Sequence, residues 1–70
     1  MAEVAAHITG TVVRIEKRPG EAVRPDASVA GLGSMKMELP AEAPVGDRLK
    51  EVRCQEGQAV SEGDVLAVIE

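Results

Sequence analysis

Displaced by 37 residues, this chain overlays itself without a gap. Ala6 falls on Ala43, Ile8 on Val45, Val12 on Leu49 and Ile15 on Val52. Further on, Gly20 meets Gly57, Ala22 meets Ala59, Val23 meets Val60, Val29 meets Leu66, Ala30 meets Ala67 and Leu32 meets Ile69. Two valine-rich segments can look alike by chance. A shared Gly-x-Ala-Val with matching apolar flanks makes an internal duplication the better explanation. A half of this size cannot bury its own apolar face, but two halves can share one core as a sandwich or flattened barrel. The apolar pairs Val12/Ile15 and Leu49/Val52 are three apart, a spacing that one face of a regular strand does not accommodate. A bulge or strong coil is expected at the same point in both halves.

The repeat is built of strands. No window places apolar residues at i, i+3, i+4 and i+7 over three turns, and Gly or Pro interrupts every long run. With no Phe, Tyr or Trp, the core must be aliphatic, supplied mainly by ten Val, four Leu and three Ile. These are β-forming residues in large part. Strands are predicted over roughly 3–8, 10–17, 28–34, 37–43, 47–53 and 65–70. The segments Arg18-Pro19-Gly20-Glu21, Arg24-Pro25-Asp26, Gln55-Glu56-Gly57-Gln58 and Ser61-Glu62-Gly63-Asp64 read as turns. Seventy residues make one all-β domain, 1–70, without depth for a catalytic cleft.

Several function classes drop out. Cys54 and His7 are each the only residue of their type. No disulfide can form within the chain, a reducing compartment fits, and no metal-ligand spacing exists. No nucleophile–base pair is present, so no catalytic residue is assigned. Net charge is −4 and the eight basic residues are scattered, which argues against nucleic acid. No apolar run approaches the ~20 residues of a membrane helix. Met1-Ala2-Glu3-Val4 lacks the basic and apolar regions of a signal peptide, so a cytoplasmic location away from membranes is expected.

One place breaks its own local rule. Around Gly33-Ser34-Met35-Lys36-Met37-Glu38-Leu39-Pro40, two strands meet at a two-residue turn of Met35 and Lys36. Such turns favour Asn-Gly or Asp-Gly because their central residues need φ > 0. Met and Lys there cost about 1–2 kcal/mol of backbone strain. Displaced by 37, Met35 and Lys36 fall just past Glu70, so the chain ends flank the counterpart of this turn. A pseudo-two-fold axis would then set the termini and Lys36 at opposite ends of the domain. An exposed lysine amine can serve as an acid–base group, a Schiff-base nucleophile or an attachment point. The first two need burial or neighbouring cations, and the adjacent Glu38 works the other way. Attachment needs only exposure and a recognisable shape.

Ser34-Met35-Lys36-Met37-Glu38 resembles the attachment motif of biotinyl domains, as in biotin carboxyl carrier proteins. Glu42-Ala43-Pro44-Val45 and the stretch from Glu56 to Glu70 resemble the same family, as does the placing of the lysine about 35 residues before the C-terminus. The likeness spans nearly the whole chain and is nearest to thumbless carriers, including free-standing biotin/lipoyl attachment proteins. It implies a barrel-sandwich hybrid: a flattened β-barrel of two four-stranded antiparallel sheets with a pseudo-two-fold repeat. It also implies a biotinyl-lipoyl carrier, itself non-catalytic, with biotin joined by an amide to Lys36 through a biotin protein ligase. A carboxyl group would then pass between biotin carboxylase and carboxyltransferase subunits of an acyl-CoA or other biotin-dependent carboxylase. Met35 and Met37 read as contacts for the ligase, or as ordinary packing under the turn; Ser34 and Glu38 complete the motif. A monomer is implied for the free carrier, although an unpaired sheet edge would permit dimerisation.

Two positions depart from the family pattern. Gly33 stands three residues before the lysine, where biotinyl domains commonly carry Glu, and this bears on ligase recognition. Asp47 stands where the second half usually has a Gly, opposite Gly10 in the repeat; aspartate tolerates φ > 0 better than most residues, so the fold is expected to survive at some cost. A lipoyl carrier on the same fold is the main alternative. Lipoyl domains typically have Asp-Lys-Ala at the turn, and Met35-Lys36-Met37 argues against it. An unmodified structural module of the kind found in membrane-fusion proteins would need long coiled-coil flanks, which this chain lacks.

Overall fold

Eight strands form, in the order β1 (Ala2–Ala5), β2 (Gly10–Ile15), β3 (Ala22–Val23), β4 (Ser28–Ser34), β5 (Met37–Glu42), β6 (Asp47–Val52), β7 (Ala59–Val60) and β8 (Val65–Ile69). The computed structural model describes residues 1–70. No helix forms. Two four-stranded sheets run β1-β8-β6-β3 and β5-β4-β2-β7, and every pairing is antiparallel. Each sheet draws strands from both halves of the chain, so the two halves share one core.

The repeat carries through to single residues. Val12↔Leu32 in one sheet becomes Leu49↔Ile69 in the other, and Gly10↔Val60 becomes Val23↔Asp47. Leu32↔Leu39 has its counterpart in Ala2↔Ile69, so the open end where the chain starts and finishes is the repeat image of the β4–β5 hairpin. The expected bulges are both present, as register shifts between Val12 and Arg14 and between Leu49 and Glu51. Loop hydrogen bonds repeat as well: Gly20 N–H donates to the Leu49 carbonyl at 2.8 Å, and Gly57 N–H to the Val12 carbonyl at 2.7 Å.

The core is almost entirely a set of repeat pairs. Val4/Ala41, Ala6/Ala43, Val12/Leu49, Val23/Val60, Val29/Leu66, Ala30/Ala67 and Leu32/Ile69 are all buried in one cluster. The fifteenth member, Cys54, has the half-buried Lys17 as its counterpart. Burial pushes the Cys54 thiol above its ordinary pKa, keeping it in the neutral form.

Three expectations change. Strands β3 and β7 are absent from the six predicted above, because two-residue strands between turns leave no alternation to detect. The predicted segments 3–8, 10–17, 37–43, 47–53 and 65–70 also run one to three residues past the observed ends. Asp47 does not adopt positive φ, nor does Gly10. Gly10 is instead required by close approach, since a Cβ there would lie 2.4 Å from the Gly33 carbonyl oxygen. The left-handed aspartate is Asp26, with φ 68°, in the place where the second half has Gly63 with φ 95°.

Candidate functional site

The β4–β5 hairpin sets the geometry of the lysine. Leu32↔Leu39, Gly33↔Glu38 and Ser34↔Met37 fix its register and leave Met35 and Lys36 alone in the loop. Met35 has φ 49° and Lys36 φ 70°, so both adopt the left-handed conformation of the mirror-image turn that matches strand twist. Neither is glycine, asparagine or aspartate, and together they incur about 1–2 kcal/mol. Replacing the pair with Met35→Asn/Lys36→Gly is expected to raise unfolding free energy by about 1–2 kcal/mol while deleting the amine. Urea denaturation of the two proteins measures this directly.

Everything at the tip points outward. Met35 is 92% exposed and Met37 62%, and Lys36 is exposed between them. Ser34, half-buried, closes the last strand pair opposite Met37. Met35 in the turn and Met37 at the start of β5 thus present two apolar side chains to solvent on either side of the lysine. Pro40 follows on β5, an edge strand where the missing N–H leaves no ladder bond unmade.

Glu38 does not turn toward Lys36. Its carboxylate is held by Arg14 on β2: Nε donates to Oε2 at 3.0 Å, and Nη2 donates to both oxygens. The pair reaches over the intervening strand β4 because Gly31 lies beneath it. A Cβ on Gly31 would come within 3.2 Å of Glu38 Oε2 and 3.3 Å of Arg14 Cγ. Glu38 also holds the Arg14 guanidinium above its ordinary pKa, through the hydrogen bond first and charge second. Lys36 itself has no salt-bridge partner; the two ion pairs of the molecule are Arg14–Glu38 and Arg53–Glu51.

The surface beside the tip explains what sequence reading left open at Gly33. Val13, the extra residue of the β2 bulge, stands outward, and its Cγ1 lies 2.8 Å from where a Gly33 Cβ would be. A glutamate at position 33 would have to displace Val13, so the departure at 33 and the exposed valine at 13 belong together. Val13 and Arg14 were invisible as site residues in the sequence, since they lie on β2, more than twenty positions before Lys36, and Gly31, close by on β4, gave no sign of the ion pair above it. Only the cross-strand register of β2, β4 and β5 brings them near it. A shallow hollow of about 200 Å³ lies along this face, lined by Arg14, Glu16, Ser28, Gly31, Glu38 and Pro40. Its walls include the Arg14–Glu38 salt bridge and the side chains of Glu16, Ser28 and Pro40.

Comparison with known proteins agrees with this geometry. The family model Biotin_lipoyl, described as "Biotin-requiring enzyme", matches residues 1–69. The biotin/lipoyl attachment protein of Bacillus subtilis is 38% identical over 63 residues, covering 90% of this chain and 86% of that protein. The mitochondrial propionyl-CoA carboxylase alpha chain of Homo sapiens is 36% identical over 61 residues, yet this chain spans only 8% of its length. Among solved structures, the lipoyl domain of the 2-oxoglutarate dehydrogenase complex from Azotobacter vinelandii superposes with a TM-score of 0.72 at 29% identity, covering 89% of this chain and 78% of that one. Biotin-type and lipoyl-type relatives are thus both similar to this chain.

Proposed function

The chain belongs to the biotin/lipoyl attachment family, whose domains carry a covalently held group and are not catalytic on their own, and from this premise we propose that residues 1–70 form a biotin carboxyl carrier domain with Lys36 as the attachment residue. The observation that carries the reading is the tip itself. An exposed lysine with φ 70°, between methionines 92% and 62% exposed, occupies a turn whose residues weaken the fold. A stability cost retained at one exposed point is what a recognition site requires.

Lys36 supplies the Nζ that an amide would join, and Met35 and Met37 supply apolar contacts for a biotin protein ligase. Ser34 holds the end of the hairpin closed, and Glu38 ties β5 to β2 through Arg14. The turn fits biotin: the amine is solvent-facing and unpaired, and nothing within the domain needs to enclose the group. When attached, biotin supplies a ureido nitrogen that takes up and releases a carboxyl group. The chain supplies the tether, which raises the local concentration of that group at both a biotin carboxylase and a carboxyltransferase site. The carboxylase relative favours an acyl-CoA carboxylase as the setting. A cytoplasmic monomer is the expected form, and no helix is long and apolar enough to cross a membrane.

Lipoate is the competing group, because a lipoyl domain shares the fold. Met on both sides of the lysine favours biotin. Expression beside a biotin protein ligase and a lipoate ligase, each with its cofactor, decides between them by intact mass. A single biotinyl increment is expected. A lipoyl increment alone would move the chain to the lipoyl carriers, and neither increment on folded protein would reject the carrier reading.

A further inference from the structure

The internal repeat holds through the core and fails on the outer face beside the lysine. Displaced by 37, Arg14, Gly31 and Glu38 fall on Glu51, Val68 and Met1. The second half has an acid in place of the arginine, a valine in the glycine gap and no acid at the third place. Glu51 pairs instead with Arg53, two residues along the chain. A salt bridge reaching across a whole strand therefore exists only in the half that bears Lys36.

We propose that Arg14 is a positioning residue for Lys36: by gripping both oxygens of Glu38 across Gly31, it keeps that carboxylate from pairing with the lysine amine, which stays free to be acylated. The proposal rests on the carrier reading of Lys36. Only Met37 separates Glu38 from Lys36, and two residues of backbone span at most about 7 Å, a distance the four-carbon lysine arm covers, so Glu38 is the acid within reach of the amine along the chain. Acylation needs the neutral amine. The Nζ lone pair attacks the carbonyl carbon of an activated ester and a C–N bond forms. The bond to the leaving group breaks with its electron pair, and Nζ releases a proton to solvent. A carboxylate held against the amine would favour the ammonium form and fasten the arm to the sheet. Arg14 engages Glu38 with a planar fork that a single ammonium does not match. Glu16, the other acid lining this hollow, follows the end of β2, twenty residues before Lys36 in the chain, and Gly31 leaves the space through which the arginine reaches.

The test uses the whole protein and a small acylating reagent, N-hydroxysuccinimidyl acetate. Peptide mass spectrometry reads acetylation of Lys36 against the exposed Lys50 of the same molecule. Arg14→Gln is expected to slow Lys36 about two- to five-fold relative to Lys50, the size of an exposed ion pair. Arg14→Gln/Glu38→Gln is expected to restore the wild-type ratio, because the freed acid is gone. The deficit of the single variant should shrink in about 1 M salt. An unchanged ratio in Arg14→Gln would overturn the proposal, as would a double variant that stays slow, which would mean that Arg14 acts through strand packing. No ligase takes part, so a chain that no ligase modifies would defeat the carrier reading and leave this measurement standing.

Discussion

Lys36→Arg is expected to abolish covalent attachment completely and leave the fold unchanged. Arginine keeps the charge, the exposure and a long side chain, but its guanidinium stays protonated throughout the accessible pH range and offers no nucleophilic amine. The left-handed φ of 70° costs arginine no more than lysine, so the unfolding midpoint should move by less than about 1 °C. Charge gives a second readout. Modification of the wild type removes one positive charge from a net of −4, so modified and unmodified protein separate on a native gel. The variant should run as a single unmodified species whatever ligase is present. Attachment persisting on the variant would place it on Lys17 or Lys50 and remove the tip from the account.

Leu49→Ala carries the largest expected loss of stability. Leu49 is fully buried on β6 beside the second bulge, and it is the larger partner of the repeat pair Val12/Leu49. Its backbone is tied on both sides, with N–H donating to the Glu21 carbonyl and its carbonyl accepting from Gly20 N–H, each at 2.8 Å. The site therefore collapses poorly when the side chain is cut back, and a loss of about 3–4 kcal/mol follows. A domain of this size holds only about 3.5–10 kcal/mol in total. Thermal unfolding should move down by well over 10 °C, or the native baseline should vanish. A shift of a degree or two would show that the bulge relaxes freely and that the shared core is looser than its burial indicates.

The two halves of the molecule differ in how far the sequence reveals them. The core was legible because duplication writes each buried position twice: Val12 with Leu49 and Leu32 with Ile69 carry the pattern even where a single strand is too short to show it. The bulges followed from a spacing of three that no flat strand tolerates. The Met35–Lys36 turn was legible for the opposite reason, as a local preference violated. Arg14 was not legible. It reads as one more exposed cation, and only the register that sets β2 beside Gly31 and β5 beyond it turns 24 residues of separation into a hydrogen bond. The short strands β3 and β7 escaped because their pairing comes from the neighbouring β6 and β2, not from their own residues. Asp47 was misjudged through the repeat itself: its counterpart Gly10 makes room for a carbonyl and has no need of positive φ.

The pairing of Ala2 with Ile69 has a topological meaning. Residues 2 and 69 face each other on neighbouring strands as Leu39 and Leu32 do in the β4–β5 hairpin, so the two positions are equivalent under the repeat. Seventy residues fall four short of two full repeats of 37, so a four-residue splice from Glu70 to Met1 would restore the missing loop. Cutting between Met35 and Lys36 would then yield a circular permutant with every strand neighbour retained. Its lysine would sit at the new amino terminus, and its former ends would become the uninterrupted hairpin.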